Sequence, residues 1–319
     1  MLGILSITAP IFMLIALGYI GVLARIVTKV QIQGLGVFVI NFALPALIIK
    51  SLTEHPLTEV LNGHYLLAYG LGSAAVYCTA LCFAQFVQHK RLDKSALYAL
   101  GMSTSNSGFV GYPIAVMVVG PPAGVALALC MLIENMIMIP TGLALAEAGA
   151  QRDASIKNVL RTSVTRLAHN PIILAIFAGV ALSLSGIELP RPLFKVIDML
   201  ATASAPTALF VIGGTLFGLK VQGMVNDVSQ IVLGKLVFHP LAVFLAFLLV
   251  PAVDPALKVA AIVIASSPML SVYPIFGQRF NLEGLCAAAL MAAAVTSFIT
   301  ISALIWIIDT STLFTIGGQ

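Results

Sequence analysis

Charged residues make up only 9% of this chain, 16 basic and 12 acidic side chains in 319 residues. A water-soluble domain carries about 25%, so there is too little charge here to cover a soluble core. The net charge of +4 forms no basic stripe with interleaved aromatics, and nucleic acid is not an expected partner. Cysteine is sparse. Cys78, Cys82, Cys130 and Cys286 lie in apolar runs without CxxC or Cys/His spacing, which leaves no zinc or redox motif. Cys78 and Cys82 are one helical turn apart and read as packing residues. Enzyme signatures are missing too: the chain has no HExxH, no P-loop and no GxSxG. Gly34-Leu35-Gly36 lacks a third glycine and reads as a small-residue helix contact. The expectation is a protein that is not an enzyme and has no cofactor and no metal.

What is present is apolar: 60% of residues are hydrophobic and the mean hydropathy is +1.07. A membrane span needs about 20 mostly apolar residues. Ten such segments can be drawn, at 4–24, 33–52, 64–88, 95–119, 121–147, 169–187, 192–219, 229–250, 255–279 and 282–308. No basic residue precedes the first, so it reads as a retained span rather than a cleaved leader. Arg25, Lys29, Lys90, Arg91, Lys94, Arg152, Lys157, Arg161, Arg166, Lys220 and Arg279 fall on one side, against Lys50, Arg191, Lys195 and Lys258 on the other. The positive-inside rule then puts both termini outside and the basic 148–168 loop in the cytoplasm.

A shift of 161 residues lays Pro10 on Pro171, Pro45 on Pro206 and Pro113 on Pro274, with Gly18 on Gly179. With proline at about 5% of residues, chance gives roughly 0.4 proline pairs per offset. The chain thus reads as two copies, 1–150 and 169–310, joined by a 151–168 linker. Five spans per copy force the second to enter from the opposite face, an inverted repeat. The expected fold is an all-α membrane protein of ten transmembrane helices in two inverted five-helix repeats, with helices 4 and 9 broken.

Those two broken helices carry the site reading. The first contains Ser103, Thr104, Ser105, Asn106, Ser107 and Gly108, then Gly111, Tyr112 and Pro113. The second contains Ser266, Ser267, Pro268, Ser271, Tyr273 and Pro274. Gly111 and Pro113 are expected to stop the first helix. Unwound backbone offers carbonyls on one side and the N–H groups of the next half-helix on the other, and a helix N-terminus suits a carboxylate. Paired breaks point to a transporter's binding site; the plainer reading is hydroxyls that repair a kink. Asn41, in Asn41-Phe42-Ala43-Leu44-Pro45, is expected to reach the central cavity, while Pro45 and Pro206 read as kinks. Glu134, followed by Asn135, lies in the fifth span, where a charge is a functional candidate by default. The pair is assigned to a coupling cation or proton, Na+ or H+; the alternative is a protonated, hydrogen-bonded glutamate. Lys235 and His239 are one turn apart. Lys235 is near enough to the cytoplasmic end to snorkel there; the alternative is that the pair attracts an anion. No Arg or Lys lies at either break in the sequence, which argues against a site built on ion pairs.

Asn41-Phe42-Ala43-Leu44-Pro45, the Asn106-to-Pro113 crossover and the ten-span layout with a short central loop resemble the auxin efflux carrier family, especially its bacterial malonate-transporter-like members. Ser267-Pro268 departs from the Asn-like residue expected in the second crossover. The resemblance implies the bile acid:sodium symporter fold. It implies a scaffold of spans 1, 2, 6 and 7 that dimerises, here through spans 2 and 7, and a mobile transport domain of spans 3–5 and 8–10. It also implies an organic anion substrate held by Asn106 and the backbone near Pro113 and Pro274, in a bacterial inner membrane.

Overall fold

The computed structural model describes residues 2–54, 62–150, 169–187, 189–217, 225–250, 253–278 and 280–310. The linker 151–168, Lys220 and Arg279 lie outside them. The described residues hold helices and no strand. We number the helices α1 (Leu2–Leu23), α2 (Lys29–Glu54), α3 (Gly63–Val87), α4 (Leu92–Ser103), α5 (Tyr112–Val119) and α6 (Pro122–Ala150). The second half gives α7 (Pro171–Ser185), α8 (Arg191–Leu216), α9 (Val225–Leu249), α10 (Pro255–Ala265), α11 (Tyr273–Gln278) and α12 (Glu283–Thr310). Six of them, α2, α3, α6, α8, α9 and α12, are long and apolar enough to cross a membrane, and α1, α7 and α10 contain shorter apolar stretches. The molecule is a multi-pass helical membrane protein.

Start signals in the sequence explain most helix ends. Thr28 and Gln31 form a capping box for α2, and the side chains of Asn62, Asn170 and Asp254 accept first-turn N–H groups of α3, α7 and α10. Each supplies an acceptor that the helix N-terminus lacks. Pro171 and Pro255 follow directly, at a position where a missing N–H costs nothing. Pro45 and Pro206 do not end their helices: α2 passes through a π-helical turn at Val39–Ala43 just before Pro45, and Pro206 sits inside the continuous α8.

Helices α1 and α8 pack together, α2 lies on both α7 and α8, and α3 packs against α4 and α9. In the middle, α10 runs against the first half of α6, against α5 and against α9. Alanine, valine and isoleucine fill this centre: Val259 to Ala265 on α10 and Val125 to Cys130 on α6 are all buried. The α1–α8 contact is closest. A Cβ on Gly213 would stand 1.8 Å from the Ile15 carbonyl oxygen, and one on Gly18 would stand 2.0 Å from that of Phe210. Only glycine permits this backbone approach, the small-residue packing typical of membrane helices. Gly34-Leu35-Gly36 does less: a Cβ on Gly34 would meet nothing within 4 Å.

Cys78 and Cys82 are exposed rather than packed. Their one-turn spacing does put them on one face of α3, but that face is the outward one it shares with exposed Leu71 and Phe86. Gly213→Leu is expected to force α1 off α8 and destabilise the protein by about 1–3 kcal/mol, the usual range for overpacking. Thermal unfolding of the detergent-solubilised variant checks this, and an unchanged midpoint would contradict the packing described.

Candidate functional site

The first helix break is at Thr104, Ser105 and Asn106, between α4 and a π-helical turn at Ser107–Gly111 that leads into α5. It lies upstream of where Gly111 and Pro113 were expected to stop the helix. Pro113 is the second residue of α5 but lies inside the helix that starts at Ser107, directly after the π-helical turn, and does not end it. Thr104 turns extended (φ −120°, ψ 149°) and Asn106 has φ −79°, ψ 60°. The second break, residues 266–272, separates α10 from α11, where Pro274 again stands second.

Some hydroxyls only bond back within their own helices. Ser103 and Thr104 donate to Ala99 O and Leu100 O at 2.7 Å, and Ser266 and Ser267 donate to Val263 O and Ile264 O at 2.7 Å. Leu100 O, Val263 O and Ile264 O each accept a backbone N–H as well, so these bonds satisfy the buried hydroxyls and not vacant carbonyls. Asn106 does something different. Its backbone N–H donates to Pro268 O at 2.7 Å, and its Nδ2 donates to Ser271 Oγ at 2.7 Å. One asparagine therefore ties the two breaks together, and they meet as the paired prolines suggested. The chains run so close beside this point that a Cβ on Gly111 would lie 3.1 Å from the Ile264 Cα.

Two charges are buried against this crossing. Glu134 is 1% exposed and opens a π-helical turn in α6. Its Oε1 accepts from the Tyr69 hydroxyl at 2.9 Å and the Ser105 N–H at 3.0 Å, and its Oε2 accepts from Ser107 Oγ at 2.7 Å. Lys235, 0% exposed, sits in a π-helical turn of α9. Its Nζ donates to Ser105 Oγ at 2.7 Å and to Ala265 O at 2.6 Å, and lies in hydrogen-bond contact with His239 Nδ1 at 2.6 Å. His239 Nε2 then bonds Ser73 Oγ at 3.0 Å. π-helical turns shift the phase of the helix and are frequent at functional sites. Here they bring both charges inward.

This corrects two expectations. Lys235 does not snorkel, because its head is surrounded by acceptors in the core that leave it no reason to reach for water. A lysine does stand at both breaks, delivered by α9 from more than 100 positions beyond Ser105. The charges share Ser105 through its two sides, N–H to the carboxylate and Oγ to the ammonium. Burying either alone would be prohibitive; paired and hydrogen-bonded, they are tolerated.

A cavity of about 490 Å³ opens beside the crossing. Its polar wall is Ser105, Asn106, Ser107, Glu134, Asn135, Asn170 and Ser271, with Gly108 among them, and its apolar wall includes Leu44, Phe109, Ile172 and Phe276. Of the residues singled out from the sequence, Ser105, Asn106, Ser107, Gly108, Ser271, Glu134 and Asn135 line it. Asn41 does not: it is exposed and bonds back to Val37 O at 2.8 Å, because the π-helical turn presents Ile40 and Leu44 to the cavity instead. Gly111, Tyr112, Pro113, Ser267, Tyr273 and Pro274 do not line it either. Tyr273 is a buried strut whose hydroxyl donates to Leu97 O at 2.9 Å. Asn170 was not expected; it caps α7 and donates to Asn135 Oδ1 at 3.3 Å. Asn170-Pro171 is a cap-then-proline signal that would have located it. Tyr69, hidden in an apolar stretch, gave no signal. Among the described residues no cluster of ligands fit for a metal occurs.

A bundle of apolar helices, two of them interrupted and meeting at a partly polar cavity in the core, is the arrangement of a membrane transport protein. A family profile described as membrane transport protein matches residues 4–307, and the chain belongs to that family, the auxin efflux carriers. It is 30% identical over 319 residues to a Rhizobium meliloti protein named "Putative malonate transporter", covering 98% of both chains. It is 25% identical over 304 residues to an uncharacterized transporter, YfdV, of Escherichia coli, covering 93% of this chain and 95% of that one. It also matches a mouse lysosomal cholesterol signaling protein, 28% identical over 218 residues, but that match spans 65% of this chain and only 25% of the larger protein. These names indicate a transporter and not an enzyme.

Glu134→Gln removes the carboxylate that balances Lys235 across Ser105, while the Ser107 hydroxyl can turn to accept from the new amide N–H. The expected cost is about 3–5 kcal/mol of stability, that of a buried charge left without its partner. Thermal unfolding in detergent measures it, and a neutral result would show that Glu134 is not held as described.

Proposed function

We propose that this protein is a secondary carrier of a small organic anion, a mono- or dicarboxylate, which it binds in the cavity at the crossing of the two broken helices. The observation that carries this reading is the double tie of Asn106 to Pro268 and Ser271 at the edge of a 490 Å³ cavity. Such a volume falls in the usual range for small-ligand sites. The helix beginning at Ser107 points its N-terminus toward the cavity, with Ser107 and Gly108 in the wall, and N-terminal N–H groups have no acceptor within their own helix. They favour a carboxylate without requiring an arginine. The name of the Rhizobium relative, a malonate transporter, fits the same chemistry.

The fuller architecture belongs to this proposal. Ten spans in two inverted repeats account for the 161-residue proline register and for the matching second position of Pro113 and Pro274 in α5 and α11. The packing of α1 on α8 and of α2 on α7 and α8 supports a scaffold of spans 1, 2, 6 and 7. A transport domain of spans 3–5 and 8–10 would then move against it as an elevator, the scaffold pairing through spans 2 and 7 in a homodimer. The charge bias of the loops supports both termini lying outside, and the likeness to bacterial relatives supports an inner membrane. Glu134 and Asn135, both in the cavity wall, are the candidates for coupling to an ion, for which the buried Lys235 at the crossing favours H+ over Na+.

Proteoliposomes loaded with a panel of labelled organic acids, with proton and sodium gradients imposed separately, test the reading. Movement of at least one carboxylate is expected. Failure of every carboxylate refutes the anion proposal, and ligand binding without flux would make the protein a sensor. Asn106→Ala keeps the backbone bond to Pro268 and loses only the bond to Ser271. It is expected to fold and to transport about tenfold more slowly below saturation, the equivalent of about 1.4 kcal/mol.

A further inference from the structure

Carriers built on broken helices commonly hold a dissociable cation against the unwound carbonyls and the C-terminal ends of the half-helices. In this protein that location is filled by a side chain. The carbonyl of Ala265 is the last of α10, the negative end of that half-helix. It accepts from Lys235 Nζ at 2.6 Å. The other partners of Nζ are the Ser105 hydroxyl, in the first break, at 2.7 Å and His239 Nδ1 at 2.6 Å. A helix-end carbonyl and a hydroxyl are the oxygen ligands a hard cation takes.

The contacts also fix what this lysine does not do. An ammonium has three N–H donors and no acceptor, and these three partners use all of them. None remains for a substrate anion, and the lysine is absent from the cavity wall, while Ser105 and Glu134 stand in it. With Nζ an ammonium that only donates, His239 Nδ1 is the acceptor, which leaves the ring proton on Nε2, 3.0 Å from Ser73 Oγ. The head is thus held from both breaks and from α3, and its charge is balanced by Glu134 across Ser105.

We infer that the Lys235 ammonium is a built-in cation at the helix crossing, standing where related architectures hold a dissociable sodium ion, so that this protein assembles its binding site without sodium. The inference deepens the carrier reading and rests on it for the word substrate, but its first test needs no substrate.

That test is thermal unfolding of purified wild type, Lys235→Ala and Lys235→Met in choline, sodium, lithium or methylammonium chloride at one ionic strength. Wild type is expected to melt alike in all four. Lys235→Ala opens a vacancy bounded by Ser105, Ala265 O and His239, with the Glu134 charge uncompensated, and a small cation entering it should raise the midpoint by about 5 °C over choline. Lys235→Met fills the same space without charge and should gain nothing from any cation. A sodium-dependent shift in wild type overturns the inference, as does a Lys235→Ala protein that no small cation stabilises. Should Lys235→Ala be recoverable only from sodium or methylammonium buffers, that recovery is the same stabilisation read as yield. If it is recovered from none, wild type decides, its indifference to sodium sustaining the inference. In vesicles, once a transported acid is known, wild-type flux should be equal in sodium and choline, and Lys235→Ala flux should require sodium. Absence of any transported acid would remove the carrier reading and leave the melting result standing.

Discussion

Inside a hydrocarbon slab no solvent completes an interrupted backbone, and the ends of α4 and α10 must be completed by protein. Much else in the structure follows from that requirement. Ser103, Thr104, Ser266 and Ser267 fold back on their own helices, where their hydroxyls find acceptors without water. Asn106 reaches across to satisfy the other break. What the serines and the asparagine leave undone is met by charge: Glu134 takes the Ser105 N–H, and Lys235 takes the Ala265 carbonyl. Each helix break is thereby paid for by groups on other helices, and neither break is stable without its partner.

Buried charges of this kind demand exact compensation, which constrains the helices that carry them. Lys235 on α9 and Glu134 on α6 both stand in π-helical turns. Around them the core is built from small side chains, Ala260, Ala261 and Ala265 on α10 and Ala126 and Ala128 on α6, which let the backbones approach and keep water out. Low local dielectric strengthens the attraction between the charges and equally raises the cost of losing either one. The cavity beside the pair is open and only partly polar, so a ligand entering it meets a prepaid arrangement of dipoles rather than a flexible ion.

Several parts of this were legible in the residue string. The scarcity of charge gives the membrane class, and the polar run from Ser103 to Ser107 inside an apolar segment marks the first break. The proline register leads to the second. Other parts were misread for identifiable reasons. Gly111 and Pro113 look like helix stoppers, yet the helix that starts at Ser107 runs through both by way of a π-helical turn, and the break falls on Thr104, Ser105 and Asn106 before them. Asn41 looks aimed inward, yet the π-helical turn that precedes Pro45 rotates it out to bond its own helix. Lys235 looks free to snorkel because sequence distance from a loop says nothing about which acceptors surround its head.

The sequence by itself determined the class of protein, the family, and the two segments where helices could not continue, because composition, helix-breaking residues and their spacing act locally along the chain. Only the tertiary structure decided that those segments share a lysine and an asparagine. Ser105 and Lys235 are 130 residues apart, and Asn106 and Ser271 are 165 apart. Contacts at that range depend on how helices pack and rotate, and the decisive rotations come from π-helical turns and from glycines such as Gly111 that set the distance between backbones.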